Sequence, residues 1–270
     1  MESKMSVLAK KPMSWVALGI LLFWATMIVC SYFFSDFFSM EQEISKRLEP
    51  PGAGSLLGFD SLGVPLHSQL AKGAVTSLSI SLITTFLCYL IACPLGMWCG
   101  YRGGWADSVV SRVCDILLSF PPLILPIAIT TFFGSGRRQL ILALVLGGWV
   151  SVFRLVRSQI RSFWQLELVT ASIAMGASTL RIMFVHAIPH LYGALSVHLI
   201  FMISGMILAE SSLSFLGLGF SEGDTSWGTL LNDGRSYITD SPHVLVIPAI
   251  ALVSIVLSLN IFGELLRKKS

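Results

Sequence analysis

ELVTASIAMGASTLRIMFVHAIPH, residues Glu167–His190, is a polar-edged, helix-competent stretch set between two long apolar runs, roughly Gln139–Val156 and Leu191–Phe215. Leu166 to Met175 contains Leu, Glu, Ala and Met, which favour helix. Gly176 can take the positive φ that stops a helix sharply. Ser178 or Thr179 can cap a second short helix, and Pro189 is expected to interrupt that helix and start the turn into the next apolar run. The local pattern is helix, glycine turn, helix, proline: a protruding elbow between two membrane-length segments.

The rest of the chain agrees with a membrane setting. Of its 270 residues, 54% are apolar and 12% charged, with a mean hydropathy of +0.78. A soluble domain carries about twice that charged share. Inside a bilayer every backbone group must be satisfied within the protein, so spans are helices or closed barrels. The apolar runs here do not alternate as barrel strands do. Six runs reach the ~20 residues that a helix needs to cross: Trp15–Phe34, Ala74–Met97, Val109–Phe133, Gln139–Val156, Leu191–Phe215 and Val244–Phe262. The fold class is therefore all-α and polytopic, with six transmembrane helices. The first run is longer than a signal-peptide core and no small-residue cleavage site follows it, so it reads as an uncleaved span.

Lysine and arginine set the orientation. With both termini inside, twelve of the 18 cationic side chains fall on the cytoplasmic side and six outside. The acids Asp36, Glu41, Glu43, Glu49, Asp60, Glu222, Asp224, Asp233 and Asp240 all fall outside. This places the 157–190 loop in the cytoplasm. Arg137-Arg138, beside Gly134 and Gly136, is the local exception. The five cysteines, Cys30, Cys88, Cys93, Cys99 and Cys114, lie in or beside apolar runs, contain no CxxC, and read as small buried hydrophobes.

The 167–190 segment resembles the cytoplasmic EAA loop of ABC importer permeases. Thr170 stands where that loop has its glutamate, Ser172 where it has its second alanine, and Ile188-Pro189-His190 where it ends in Leu-Pro-Asn; Gly176, Ala177 and Ser178 keep the pattern. Glu210–Gly219 (ESSLSFLGLG) with Ser226-Trp227-Gly228 is similar to the dipeptide, oligopeptide and nickel branch, C-type subunit. So are Arg102–Asp107 with Arg112, Asp115 and Phe120-Pro121, the Leu57–Asp60 segment with Gly63, and Asn260, Gly263 and Leu265-Leu266-Arg267. These motifs occur in order over about residues 55–268.

The resemblance implies a permease subunit of an ATP-driven importer in a bacterial inner membrane, moving peptides or similar small solutes as half of a heterodimeric pore. The apolar runs and the cationic bias divide the chain into a cytoplasmic N-terminus (1–14), a first transmembrane helix (15–34), an external segment (35–73), a five-helix permease core with its coupling loop (74–263, loop 157–190) and a cytoplasmic C-terminus (264–270). The ATPase-coupling residues the resemblance implies are Glu167, Thr170, Ala171, Ser172, Gly176, Ala177, Ser178 and Pro189. The implied partners are a homologous B-type permease, ABC ATPase subunits, an extracytoplasmic solute-binding protein and membrane lipid, with no nucleic acid. No cofactor is expected on this chain; ATP and Mg belong to partner subunits, because the sequence has no GxxxxGK[ST] phosphate loop. Catalytic and metal-binding residues are not expected.

Two carboxylates fall within spans and are candidates for the translocation path or gate, or for structural roles. Glu210 lies near the external end of the fifth span, facing a cavity, a helix partner or the Ser-rich loop that follows. Asp115 lies near the cytoplasmic end of the third, an i,i+3 neighbour of Arg112. His186 and His190 are four apart, but Pro189 is expected to break the helix between them. Thr76, Ser77, Ser79 and Ser81, with Gly193 and Gly205, suit close helix packing. The residues leave the cargo open among peptides, nickel or another chelated metal, opines and glutathione-like compounds. A secondary carrier or a membrane scaffold are the competing classes; a carrier calls for mid-membrane ionisable groups in paired broken helices.

Overall fold

The computed structural model describes residues 12–34, 37–52, 55–220 and 223–268. Most of the 1–14 segment, and the charges Lys4, Lys10, Lys11, Asp36, Glu222 and Lys269 used above for orientation, lie outside the described residues. The chain is helical almost throughout: α1 (Pro12–Phe33), α2 (Leu66–Arg102), α3 (Gly104–Ser119), α4 (Ile124–Phe133), α5 (Arg137–Phe163), α6 (Glu167–Ala174), α7 (Thr179–Ile182), α8 (Ile188–Phe215), α9 (Trp227–Gly234) and α10 (His243–Arg267). Five helices are long and apolar enough to cross a bilayer: Met13–Phe33, Leu66–Arg102, Arg137–Phe163, Thr179–Phe215 and His243–Arg267. The pair α3 and α4 is apolar enough only when taken together and is bent by 86° at its break, the geometry of a broken span or of a re-entrant loop.

That break corrects the expectation of one continuous third span over Val109–Phe133. Pro121 and Pro122 carry no N–H for a helical ladder, and a residue before proline is pushed out of the helical region. Phe120 accordingly sits at φ −83°, ψ 139°. The fifth span is corrected in the opposite sense. Pro189 does not interrupt the helix: α7 runs into α8 through a π turn, Met183–Ala187, in which Ile188 N–H bonds Met183 O. The wider turn re-registers the ladder, and Pro189 falls in the first turn of α8, where a missing N–H costs nothing. His186 and His190 therefore sit on one continuous helical segment, Thr179–Phe215.

The most extensive helix contact is between α2 and α5. Gly96 and Gly100, one turn apart on α2, let the two backbones meet. A Cβ on Gly96 would lie 2.8 Å from Val156 Cβ, and one on Gly100 2.8 Å from the Arg157 carbonyl oxygen. Val156 and Ile160 are fully buried against them. This is the small-xxx-small packing device of membrane helices. Gly205, expected to serve that purpose, has open space around it instead.

A second core joins α1, α2, α8, α9 and α10 around Trp227. The Trp227 indole N–H donates to Leu70 O at 3.1 Å, and its ring meets Trp24 edge-on at 4.9 Å. The loop between α1 and α2 closes this end. Asp60 there accepts from the N–H groups of Leu62 (2.8 Å) and Val64 (2.7 Å) and from the Gln69 amide.

Candidate functional site

The elbow between α5 and α8 is built as a rigid projection. Helix α6 turns Val169 and Ser172 inward. It presents Glu167, Thr170 and Ala171, at i, i+3 and i+4, on an exposed face. At its end Gly176 adopts φ +83°. Gly176 N–H bonds Ile173 O at 2.9 Å and Ala177 N–H bonds Ser172 O at 3.0 Å, a complete Schellman closure. Ser178 then caps α7, its hydroxyl accepting from Arg181 N–H at 3.4 Å. Both the glycine stop and the serine cap are where the sequence pattern places them.

The elbow is tied to the long helices at its base. Ile182 is buried, the Tyr101 hydroxyl at the end of α2 lies 3.2 Å from the Thr179 hydroxyl, and the Tyr101 ring packs on Trp164 at 4.6 Å. Phe163 packs on His190 at 5.3 Å. Its tip is apolar and uncovered: Leu168, Ile173 and Leu180 are more than half exposed, and Met175 is 80% exposed. Of the residues singled out for coupling, Glu167, Thr170, Ala171, Gly176, Ser178 and Pro189 are exposed and Ala177 is half-buried. Ser172 is buried, with its hydroxyl donating to Leu168 O at 2.7 Å, so it anchors the elbow rather than meeting a partner.

Glu210 is fully buried near the end of α8. Its carboxylate accepts hydrogen bonds from the hydroxyls of Ser214 (2.8 Å) and Ser211 (3.2 Å) on its own helix. The hydroxyls of Ser77 on α2 and Ser226 at the start of α9 complete the cage. Ser226 also closes a capping box with Thr229, and the tight approach of Gly228 to the Ser211 carbonyl oxygen, 2.5 Å from a notional Cβ, seats α9 on α8. A buried carboxylate is tolerated when its lone pairs are satisfied in this way. Here it ties three elements together.

Asp115 on α3 is corrected in its partner. It pairs with Arg154 on α5 at 2.6 Å, and both groups are about half exposed; the expected Arg112 contact does not form. A second cross-helix pair has no signal in the sequence: Arg157 on α5 grips both carboxylate oxygens of Asp107 on α3 through its Nε and Nη2, and Asp107 is almost completely buried. The bidentate geometry suits arginine specifically. Arginines 154 and 157, three apart on α5, thus hold the start and the middle of α3.

Between the Pro121-Pro122 break, α5 and α8 lies a cavity of about 320 Å³, lined by groups that include Leu117, Pro121, Gly148, Met202, Gly205 and Met206. Its lining is apolar side chain and glycine backbone. Neither Glu210 nor Asp115 is part of it.

Comparison with known proteins bears on what this architecture belongs to. Residues 92–269 match the family model described as "Binding-protein-dependent transport system inner membrane component". The chain is 34% identical over 219 residues to the glutathione transport system permease protein GsiD of Pectobacterium atrosepticum, covering 81% of this chain and 73% of that protein. It is also 34% identical over 259 residues to the dipeptide transport system permease protein DppC of Bacillus subtilis, covering 95% of this chain and 81% of that one. Among solved structures, the MetNI methionine ABC transporter in an inward-facing conformation aligns with a TM-score of 0.60 at 19% identity, over 76% of this chain and 98% of the matched chain, which speaks for the fold. With helices of bilayer length and the elbow in place, the chain belongs to the binding-protein-dependent transport system inner membrane components, as a permease subunit of an ABC importer in the peptide and nickel branch.

Proposed function

We propose that this permease forms one half of a pore for peptide-type cargo, with a homologous B-type permease as the other half. Its elbow docks on an ABC ATPase subunit that binds ATP and Mg, and an extracytoplasmic solute-binding protein delivers the cargo. Both termini and the elbow lie in the cytoplasm, on the lysine and arginine distribution. The observation that carries the reading is the elbow itself: a short helix locked by a Schellman closure and rooted on α2 and α5, with Met175, Leu180 and Ile173 bare at its tip. Apolar side chains on a rigid polar-side projection are the expected footprint of a protein partner. The names of the relatives, glutathione and dipeptide permeases, support the cargo class.

The cavity fits passage better than capture. Its Leu, Pro, Met and Gly lining offers a peptide's charged ends no partner. Weak contact is what conduction requires, since cargo must leave as readily as it enters. On this reading the binding protein carries selectivity and the permease supplies a route that opens when the ATPases close. Glu210 and Asp115 act within the frame of that route, as anchor and cross-helix latch.

The test is a mild-detergent purification of the tagged chain with mass spectrometry of what accompanies it. Recovery of a homologous six-span protein with P-loop ATPases is the expected result. A chain that emerges alone, folded and monodisperse would overturn the reading.

A further inference from the structure

Two adjoining cavities lie on the α1 side of the molecule, lined by neither the elbow nor the α5–α8 cavity residues. The first, about 430 Å³, runs along α1 and is lined by Phe23, Met27, Cys30, Phe34 and Phe37. The hydroxyl of Thr26, also in its wall, is already donated to Leu22 O at 2.8 Å. The second, about 300 Å³, lies between the end of α1 and the start of α2, and holds Ser68, Lys72, Thr76 and Ser79. Phe38 lines both, so an apolar groove and a polar chamber meet at one side chain.

The chamber has unspent capacity for an anion. Ser68, Lys72, Thr76 and Ser79 are spaced i, i+4, i+8 and i+11, one face of α2. Thr76 and Ser79 donate to α2's own carbonyls, at 3.1 and 2.9 Å. Ser68 is 1% exposed and its hydroxyl has no hydrogen-bond partner, a cost a native fold rarely carries without a ligand. Arg137 in the same wall is taken by Asp224, at 2.6 and 3.1 Å. Lys72 is exposed and has no ion-pair partner among the described residues. A cation and a spare hydroxyl donor therefore stand one turn apart at the head of an apolar groove on a membrane-spanning helix.

We propose that the paired cavities bind one anionic phospholipid, its phosphate on Lys72 and Ser68 and an acyl chain along the Phe23–Phe34 groove. A peptide would find no free polar group in that groove, whereas an acyl chain needs none. The proposal does not depend on the direction of transport; the orientation proposed above would put the site at the external leaflet.

The experiment uses the purified permease with its accompanying subunits, delipidated in detergent, titrated with phosphatidylglycerol or phosphatidylcholine and read by native mass spectrometry. One phosphatidylglycerol per copy of this chain is expected, retained about fivefold better than phosphatidylcholine, the equilibrium effect of one lysine beside an anionic headgroup. Lys72→Glu removes the preference and Lys72→Arg keeps it. Cys30→Trp, which fills the groove, weakens both lipids alike. Lys72 is exposed, so unchanged thermal midpoints in its variants confirm an intact fold. Persistence of the preference in Lys72→Glu overturns the proposal, as does displacement of the lipid by inorganic phosphate or by a dipeptide, which would identify a site for the free anion or for cargo.

Discussion

Substituting Gly176 separates a conformational role of the elbow from a contact role. The glycine sits at φ +83° with no atom within 4 Å of where a Cβ would be, so alanine there is strained without clashing. An L-residue in the left-handed region costs about 1–2 kcal/mol, and asparagine pays less than other residues. The elbow helix has 8 residues, too few to be stable alone, so its order rests on the closure that Gly176 makes. A penalty of that size changes a local equilibrium roughly 5–30-fold. The α2–α5 core is remote from it, so abundance is expected to hold. In proteoliposomes containing the whole transporter, with cargo uptake and ATP turnover measured together, uptake per ATP should fall in the order Gly176→Asn, Gly176→Ala, Gly176→Val. Equal coupling in Gly176→Val and the parent would refute the argument. If the loss followed side-chain volume instead, with Asn worse than Ala, Gly176 would be a contact point and its backbone conformation incidental.

Three further outcomes follow from the packing. Gly100→Ala drives a Cβ toward the Arg157 carbonyl at 2.8 Å and should cost about 1–3 kcal/mol in thermal unfolding of the detergent-solubilised chain, while Gly205→Ala, in open space, should stay within about 0.5 kcal/mol. Arg157→Ala strands the buried Asp107 and should cost about 3–5 kcal/mol; the double variant Asp107→Asn, Arg157→Met should recover much of this, and a double variant as unstable as the single would argue against the pair. Ser226→Ala removes a helix cap and one Glu210 donor together, for about 1–2 kcal/mol, and Glu210→Gln should be tolerated better than Glu210→Leu because the amide can still bond the serine cage. Protease nicking near α9 is the readout for this last comparison.

What was legible in the sequence was local. A glycine after a helix-forming run and a serine before the next one sufficed for the elbow, because the Schellman closure and the N-cap use groups within six residues of one another. Long apolar runs marked the spans because the bilayer imposes a length. The misses are of two kinds. Hydropathy averages across a window, so Pro121-Pro122 disappears into a third apolar run that the chain cannot build as one helix. Pro189 reads as a breaker because a π turn, which makes room for it, has no sequence signature.

Pairings across the fold were the other kind. Asp115 has Arg112 on its own helix, yet its carboxylate reaches Arg154, 39 residues away. The serine cage of Glu210 draws on Ser77 and Ser226 from other elements, which no spacing along α8 could show. Ala92, Gly96 and Gly100 at four-residue intervals are a readable signal for helix packing, and a stronger one than Gly193 and Gly205.

Helix α2 has 37 residues, about 55 Å at 1.5 Å per residue, against a hydrocarbon layer of about 30 Å. One end touches the elbow through Tyr101 and the other packs on Trp227 beneath the opposite face. It is therefore a strut whose two ends report to opposite compartments, and a tilt of about 5° at one end displaces the other by about 5 Å over that length. Welded to α5 at Gly96 and Gly100, it has one weak point in its own ladder, Pro94, which leaves Leu90 O without its helical donor. A bend imposed from the elbow would therefore concentrate at Pro94, about two turns from Tyr101, and the swing of the far end would depend on how stiff that point is.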